Sequence, residues 1–115
     1  MLNINGVDLE FDLFDADFAE KYQKAMDKVQ NKEKNYKDTG NLAKTIRFEC
    51  KLIFDFFNEL FGEGTDKKIF GEKTNIRECQ KAFKDVVEYS YKQAQELADD
   101  MANFSVERAE RKWIY

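Results

Sequence analysis

The strongest constraint on the fold is a long run of helical spacing near the C-terminal end of the sequence. Its apolar and small residues fall three or four positions apart: Ile76, Cys79, Phe83, Val86, Val87, Ser90, Ala94, Leu97, Ala98 and Met101. With 3.6 residues per turn, this spacing keeps them on one helix face for about seven turns. Asn75 is placed to cap the start of the helix, and Glu78 follows three residues later. The run predicts a helix over residues 75–102, with residues 103–115 as a tail or as an extension of that helix.

Two earlier segments also have helical spacing, and a chain without proline favours long unbroken helices. The first segment spans residues 17–35, where Asp17 and Glu20 have the spacing of a capping box. The second spans residues 41–61. Its apolar residues cover an arc of roughly 200°, about twice that of an ordinary surface helix. We expect this second helix to be covered on more than one side, either by its own domain or by a partner.

The N-terminal residues alternate between apolar and polar side chains, which is typical of a β-strand. Apolar side chains flank Asn5-Gly6 on both sides: Leu2, Ile4, Val7, Leu9 and Phe11. Because Asn-Gly tolerates the positive φ values of a type I′ turn, residues 1–12 are predicted to form a β-hairpin. The predicted fold class is therefore mainly α (α+β). We expect a single domain over residues 1–115, in which an N-terminal β-hairpin packs on a bundle of three main helices.

The segment GEGTDKKIFGEKTN, between the second and third helices, contains three glycines and several acidic residues. An EF-hand calcium loop needs oxygen ligands at positions 1, 3, 5 and 12 and glycine at position 6, but a loop starting at Glu63 has lysines at positions 5 and 6. A phosphate-binding P-loop has four residues between its glycines, whereas six separate Gly64 from Gly71. The segment instead predicts a turn, with a short helical piece that lays Ile69 and Phe70 on the core.

The composition argues against catalysis and against bound cofactors. The chain has no histidine, which removes the commonest general base and the commonest zinc ligand together. Cys50 and Cys79 lie on apolar faces and do not form a CxxC pair, so we expect them to be reduced thiols in the core. No enzymatic activity, cofactor or metal site is predicted.

The charge pattern and the hydropathy argue against binding to nucleic acids and to membranes. The net charge is -4. One face of the first helix carries a row of lysines, but acidic residues dilute it and no aromatic residue interleaves with it: Lys21, Lys24, Lys28 and Lys32. The N-terminus has acidic residues where a signal peptide needs basic ones, and no apolar run approaches the roughly 20 residues of a membrane span. We therefore expect a cytoplasmic protein.

Several apolar residues are candidates for binding a partner protein. Phe48, Leu52 and Phe56 lie outside the main apolar stripe of the second helix, and Trp113 follows a charged stretch near the C-terminus. Each of them either packs in the core or contributes to a protein-binding surface, where aromatic side chains are frequent anchors. Our hypothesis is that the three residues on the second helix form a partner-facing patch. The N-terminal hairpin offers an open strand edge for self-association, so a homo-oligomer is a further possibility.

Two stretches of the sequence resemble a family of small phage and prophage proteins. They are INGVDLEFDLFDADFAEKYQKAMDKV and LIFDFFNELFGEGTDKKIFGEKTNIRECQKAF, which together span about Ile4 to Val87. The phrase FFNELFGEGTDKKIFGEKTNIREC is the specific part of the resemblance. The family looks like the tail assembly chaperones of long-tailed phages (siphophages) of Gram-positive bacteria (Firmicutes). No family pattern extends into the stretch from about Ala102 to Tyr115.

The resemblance implies a mostly helical, non-enzymatic protein of the bacterial host cytoplasm. Such chaperones bind the tape measure protein, keep it soluble and help tail tube proteins gather around it during tail morphogenesis. The alternative is a structural head–tail or tail-completion component that is retained in the virion. An apolar strip that receives an amphipathic client helix is a known mode of recognition and needs no catalytic group.

Overall fold

The computed structural model describes the backbone of residues 1–114 and the side chains of residues 1–104. Six elements follow one another along the chain: β1 (Leu2–Ile4), β2 (Val7–Leu9), α1 (Ala16–Asn35), α2 (Leu42–Phe61), α3 (Thr65–Phe70) and α4 (Ile76–Ile114). The two strands form an antiparallel hairpin, and the rest of the architecture is helical. This confirms the predicted mainly-α fold with an N-terminal β-hairpin.

The hairpin turns at Asn5-Gly6, as its sequence predicts. Asn5 has φ 51° and Gly6 has φ 81°, the left-handed conformation that both central residues of a type I′ turn require. Ile4 pairs with Val7, so the turn has two residues. Successive side chains of a strand point to opposite faces, and those of Ile4 and Leu9 lie in the core, where both are buried.

The start of α1 differs from the prediction. Asp15, rather than Asp17, is the N-cap residue: its backbone is extended, and its carboxylate accepts a hydrogen bond from the Phe18 amide at 3.0 Å. Asp17 lies inside the first turn, where its charge favours the positive end of the helix dipole. The second helix starts where expected, because the Asn41 side chain accepts from the Lys44 amide at 3.0 Å.

Helix α2 is the centre of the fold and packs against α1, α3 and α4. Its buried residues are Cys50, Leu52, Ile53, Phe56, Phe57 and Leu60. Because these residues surround much of the helix, α2 needs neighbours on several sides, and other elements of the same chain supply them. This explains the broad apolar arc that the sequence shows.

The connection between α2 and α4 is a turn built on backbone geometry, which confirms its interpretation from the sequence. Gly62 ends α2 with φ 109°, a conformation that L side chains rarely adopt. The Thr65 hydroxyl donates to the Gly62 carbonyl at 2.7 Å and holds the turn into α3. Ile69 and Phe70 then return to the core, where both are buried.

Helix α4 begins after Asn75, whose side-chain oxygen accepts hydrogen bonds from the amides of Arg77 and Glu78 at 3.0 and 3.2 Å. It spans 39 residues and continues without a break past residue 103. A helix of that length is about 58 Å long. Since the chain measures 68 × 31 × 21 Å, α4 accounts for most of its long dimension.

Candidate protein-binding groove

The structure does not place the predicted residues of α2 in an exposed patch. Leu52 is 4% exposed and Phe56 is 1% exposed, because α1 and α4 cover the side of α2 on which they lie. Phe48 is half-buried and stacks on Tyr36, with ring centroids 4.0 Å apart and planes 13° apart. This corrects the expectation of a partner-facing patch, since these side chains serve the fold itself. The fourth predicted residue, Trp113, lies outside the side chains that the structure describes.

An apolar groove instead lies between α1 and α4, which we call the α1–α4 groove. Its volume is about 440 Å³. Side chains from both helices line it, together with one from the segment before α1: Leu13, Tyr22, Met26, Val87, Tyr91 and Leu97. The two helices that line the groove, α1 and α4, both pack on α2.

A polar link joins α1 to α4 across the groove. The Tyr22 hydroxyl donates to Ser90 Oγ at 3.0 Å, and Ser90 Oγ donates in turn to the Val87 carbonyl at 2.6 Å. Burial raises the pKa of Tyr22, and the hydrogen bond to Ser90 opposes that rise. The phenol is therefore neutral at physiological pH, and the floor carries no charge.

The side chain of Gln93 fixes one end of the groove. Its amide oxygen accepts from the Leu13 backbone amide at 2.9 Å, and its amide nitrogen donates to the Phe11 carbonyl at 3.0 Å. These two bonds tie α4 to the segment between the hairpin and α1. Phe11 also packs edge-on against Tyr89 at 5.4 Å, so the attachment is both polar and aromatic.

The apolar face of α4 that lines the groove continues past it onto an exposed surface, and we call this whole face the α4 stripe. It consists of Tyr91, Ala94, Leu97, Ala98, Met101 and Phe104, spaced three or four residues apart. Tyr91 is 70% exposed, Met101 is 61% exposed and Phe104 is 56% exposed. The helical spacing groups Ala94, Leu97, Ala98 and Met101 with the buried residues earlier on the same face and does not separate the two sets. One feature of the sequence did distinguish the two parts of this face: Phe and Val precede Ser90, whereas alanines follow it. Because large side chains fill a tightly packed core, the alanines indicated a stretch that is less buried.

A second cavity of about 310 Å³ lies where α1, α2 and α4 meet. Val29, Ile53 and Phe83 form part of its apolar wall, and Glu33 and Glu49 stand at its edge. Burial of the Glu49 carboxyl, together with the Glu33 carboxyl beside it, raises the pKa of Glu49 to about 7. Among the described residues, Glu49 is the carboxyl whose pKa departs most from its ordinary value.

The other candidate groups have ordinary structural roles. Cys50 and Cys79 are free thiols that are fully buried, and burial together with the neighbouring Cys50 thiol raises the pKa of Cys79 to about 12. Lys24 pairs with Glu20 at 3.0 Å and Lys28 pairs with Glu59 at 2.9 Å, so acidic partners interrupt the lysine row of α1. Within the part of the chain that the structure describes, no group of three acidic or thiol side chains is placed to hold a metal ion.

The groove and the stripe together give the molecule a continuous apolar track along α4. None of the described helices is both long enough and apolar enough to cross a membrane. An apolar groove that receives the apolar face of an amphipathic helix is a known mode of recognition.

Comparison with curated proteins and with solved structures gives no match for this chain. A protein family matches residues 5–113, which is most of the sequence and includes all of α1, α2 and α3 and all but the last residue of α4. That family is described as "Family of unknown function (DUF6673)". Since the match covers well over half of the sequence, the protein belongs to this family.

Proposed function

We propose that this protein is a non-enzymatic phage tail assembly chaperone or adaptor that acts in the cytoplasm of the bacterial host cell. Its partners would be the tape measure protein and the tail tube protein during tail morphogenesis. The proposal combines two lines of support: the resemblance of residues 4–87 to such chaperones, and a surface suited to a helical client.

The α1–α4 groove is the observation that carries the proposal. It is open along the flank of the helix pair, and its lining includes aliphatic, aromatic and thioether side chains such as Leu13, Tyr22 and Met26. Methionine and aromatic side chains adapt to many apolar shapes, which suits a protein that binds several segments of a long helical client.

The chemistry of the groove favours an apolar helix face over a charged ligand. Among the described residues that line it, tyrosine is the only ionisable type, and the Tyr22 hydroxyl is already paired with Ser90. A charged ligand would lose its hydration without gaining an opposite charge, which is unfavourable. An amphipathic helix would bury only its apolar side there and leave its polar side in water.

The test is co-expression of the tagged protein with the tape measure protein of the same phage or prophage. We expect the two proteins to purify together, and we expect the tape measure protein to stay soluble only when this protein is present. Ala94→Glu places a charge in the groove at an exposed helical position and is expected to abolish this recovery. Asn31→Glu adds the same charge at another exposed position, on α1, and should leave recovery unchanged.

Mature particles from induced cells provide the second measurement. A chaperone is expected in the lysate and not in purified particles. Stoichiometric amounts of this protein in particles would overturn the chaperone proposal in favour of a retained head–tail or tail-completion component. Failure to recover either tail protein would also contradict the proposal.

A further inference from the structure

The α4 stripe is exposed although its composition is that of a helix–helix contact. Tyr91, Met101 and Phe104 are each more than half exposed, and Leu97 lies between them on the same face. Spacings of three and four residues are those by which two long helices pack along a shared seam. Contiguous apolar surface of this kind marks an interaction site on a soluble protein.

We propose that a second copy of this chain covers the stripe, with the two α4 helices packed antiparallel about a two-fold axis that passes between Leu97 and Ala98. A two-fold contact uses the same surface on both copies, so each residue of the stripe must face a suitable residue of the same stripe. This inference stands on α4 alone and does not rest on the proposed function.

The stripe is complementary to itself in size when it is reversed about that axis. Met101 of one copy then faces the partner copy's Ala94, and Leu97 faces the partner copy's Ala98. The aromatic ring of Phe104 faces that of Tyr91. Large side chains thus oppose small ones near the axis, and aromatic side chains pair at the two ends, which is how facing helices interdigitate.

The charges of this part of α4 agree with the arrangement. Lys92, Glu96 and Asp99 lie on the opposite side of the helix from the stripe and are exposed. They remain in water when the stripe is covered, so the contact buries no charge. In a parallel arrangement, each large side chain would face the same residue of the partner copy, and the alanines would face one another.

The exposed aromatic residues of the stripe supply about half of the area that a specific dimer buries. A buried aromatic side chain contributes about 150–250 Å². At exposures of 70% for Tyr91 and 56% for Phe104, these two residues supply roughly 250 Å² per copy and roughly 500 Å² in the pair. A specific interface clears about 1,000 Å², and the remainder comes from Leu97, Met101, the alanines and the adjoining groove.

The first experiment measures the mass of the full chain in solution by light scattering and sedimentation over a range of concentrations. We expect twice the monomer mass at high concentration and a reversible shift towards monomer on dilution. Met101→Glu should abolish the dimer without changing the helix content measured by circular dichroism. Lys92→Glu, on the opposite side of α4, should leave the dimer unchanged. A wild-type monomer at every concentration, or a dimer that survives Met101→Glu, would overturn the proposal.

The second experiment tests the antiparallel geometry by disulfide trapping, which the buried native thiols do not disturb. Ala98→Cys places a thiol beside the two-fold axis, and we expect it to give a disulfide-linked dimer under mild oxidation. Asp99→Cys places a thiol on the opposite side of the helix and should remain largely monomeric. Equal cross-linking of the two variants would rule out the proposed seam.

Discussion

The Tyr22 hydroxyl of α1 donates a hydrogen bond to the Ser90 hydroxyl of α4 across 3.0 Å. It is a direct polar link between the two helices that form the groove. Ser90 is 4% exposed, and its own hydroxyl proton is committed to the Val87 carbonyl at 2.6 Å. The bond therefore joins two satisfied groups at the floor of an otherwise apolar cleft, and it sets the distance between the helices at that point.

Removing this bond should destabilise the fold by a modest amount. We expect Tyr22→Phe to lower the free energy of unfolding by about 1 kcal/mol, the usual net value of a hydrogen bond between neutral groups. Urea denaturation followed by circular dichroism measures the change. Tyr91→Phe removes a hydroxyl from a side chain that is 70% exposed and should change stability by less than about 0.5 kcal/mol. If both substitutions lowered the free energy of unfolding equally, the hydrogen bond between Tyr22 and Ser90 would make no specific contribution to stability.

Phe56 is expected to be a major contributor to stability. It is 1% exposed, and its ring packs edge-on against Tyr22, Phe57 and Phe83 at centroid distances of 6.2, 5.7 and 5.1 Å. Phe56→Ala should cost about 3–5 kcal/mol, because it removes buried apolar area and leaves a cavity.

Leu42→Ala provides the matched control for this large-to-small change, since Leu42 begins α2 and is 75% exposed. We expect it to change the free energy of unfolding by less than about 0.5 kcal/mol. A Phe56→Ala protein as stable as the wild type would contradict the burial of this side chain between the helices.

The two native thiols should be inert in the folded protein. Cys50 and Cys79 are both 0% exposed, and burial together with the Cys50 thiol raises the pKa of Cys79 to about 12. The reactive thiolate form of Cys79 is therefore negligible at neutral pH. Reaction with a colorimetric disulfide reagent should release no signal under native conditions and two equivalents in denaturant, one for each of the 2 cysteines.

The Asp99→Cys variant serves as the positive control for this assay, because residue 99 is exposed and lies on the side of α4 opposite the stripe. It should react with one equivalent of the reagent in the native state of a freshly reduced sample. Native reactivity of the wild type at the same rate would mean that the core around α2 and α4 opens readily.

Glu49 is expected to make the free energy of unfolding depend on pH. The dependence covers the pH range between the ordinary pKa of this carboxyl and its pKa in the folded protein. Its pKa rises from 4.5 to about 7 in the folded protein, so folding favours the protonated carboxyl. Its stabilising contribution is complete below about pH 4.5 and is lost as the pH rises through about 7. Glu49→Gln should therefore be more stable than the wild type at about pH 8 and similar to it at about pH 4.

The expected gain at the higher pH is about 1 kcal/mol, since solvent screens a carboxyl that is partly exposed. Thermal or urea unfolding at the two pH values measures the difference between variant and wild type. Glu63→Gln, an exposed glutamate after α2, should differ from the wild type by less than about 0.5 kcal/mol at both pH values. A difference between Glu49→Gln and the wild type that does not change with pH would contradict the coupling with Glu33.

Local chemistry in the sequence was sufficient to predict most of the elements. Asn5-Gly6 predicted the hairpin turn because few other residues adopt positive φ, and Asn41 and Asn75 predicted helix starts because their side chains accept from free amides. The cap of the first helix was predicted wrongly, at Asp17 rather than at Asp15, although both side chains have the chemistry of a cap. The choice of Asp15 depends on the backbone conformation at that residue.

The candidate site was less predictable. The second helix showed an apolar arc too broad for one neighbour, but the sequence does not say whether the chain itself or a partner covers Leu52 and Phe56. In the structure, α1 and α4 cover them. Met101 differs from its expected environment in the other direction. Its spacing matches that of the buried positions of α4, yet it lies beyond the other helices and is exposed.

The sequence by itself therefore determined which segments are helices, where α2 and α4 begin and how the hairpin turns. Those properties depend on spacing, capping and residue type, which act over a few positions along the chain. The tertiary structure decided which apolar residues are core and which are surface. That distinction depends on where α1 and α2 end relative to the much longer α4, because a side chain is buried only where a neighbouring element is present to cover it.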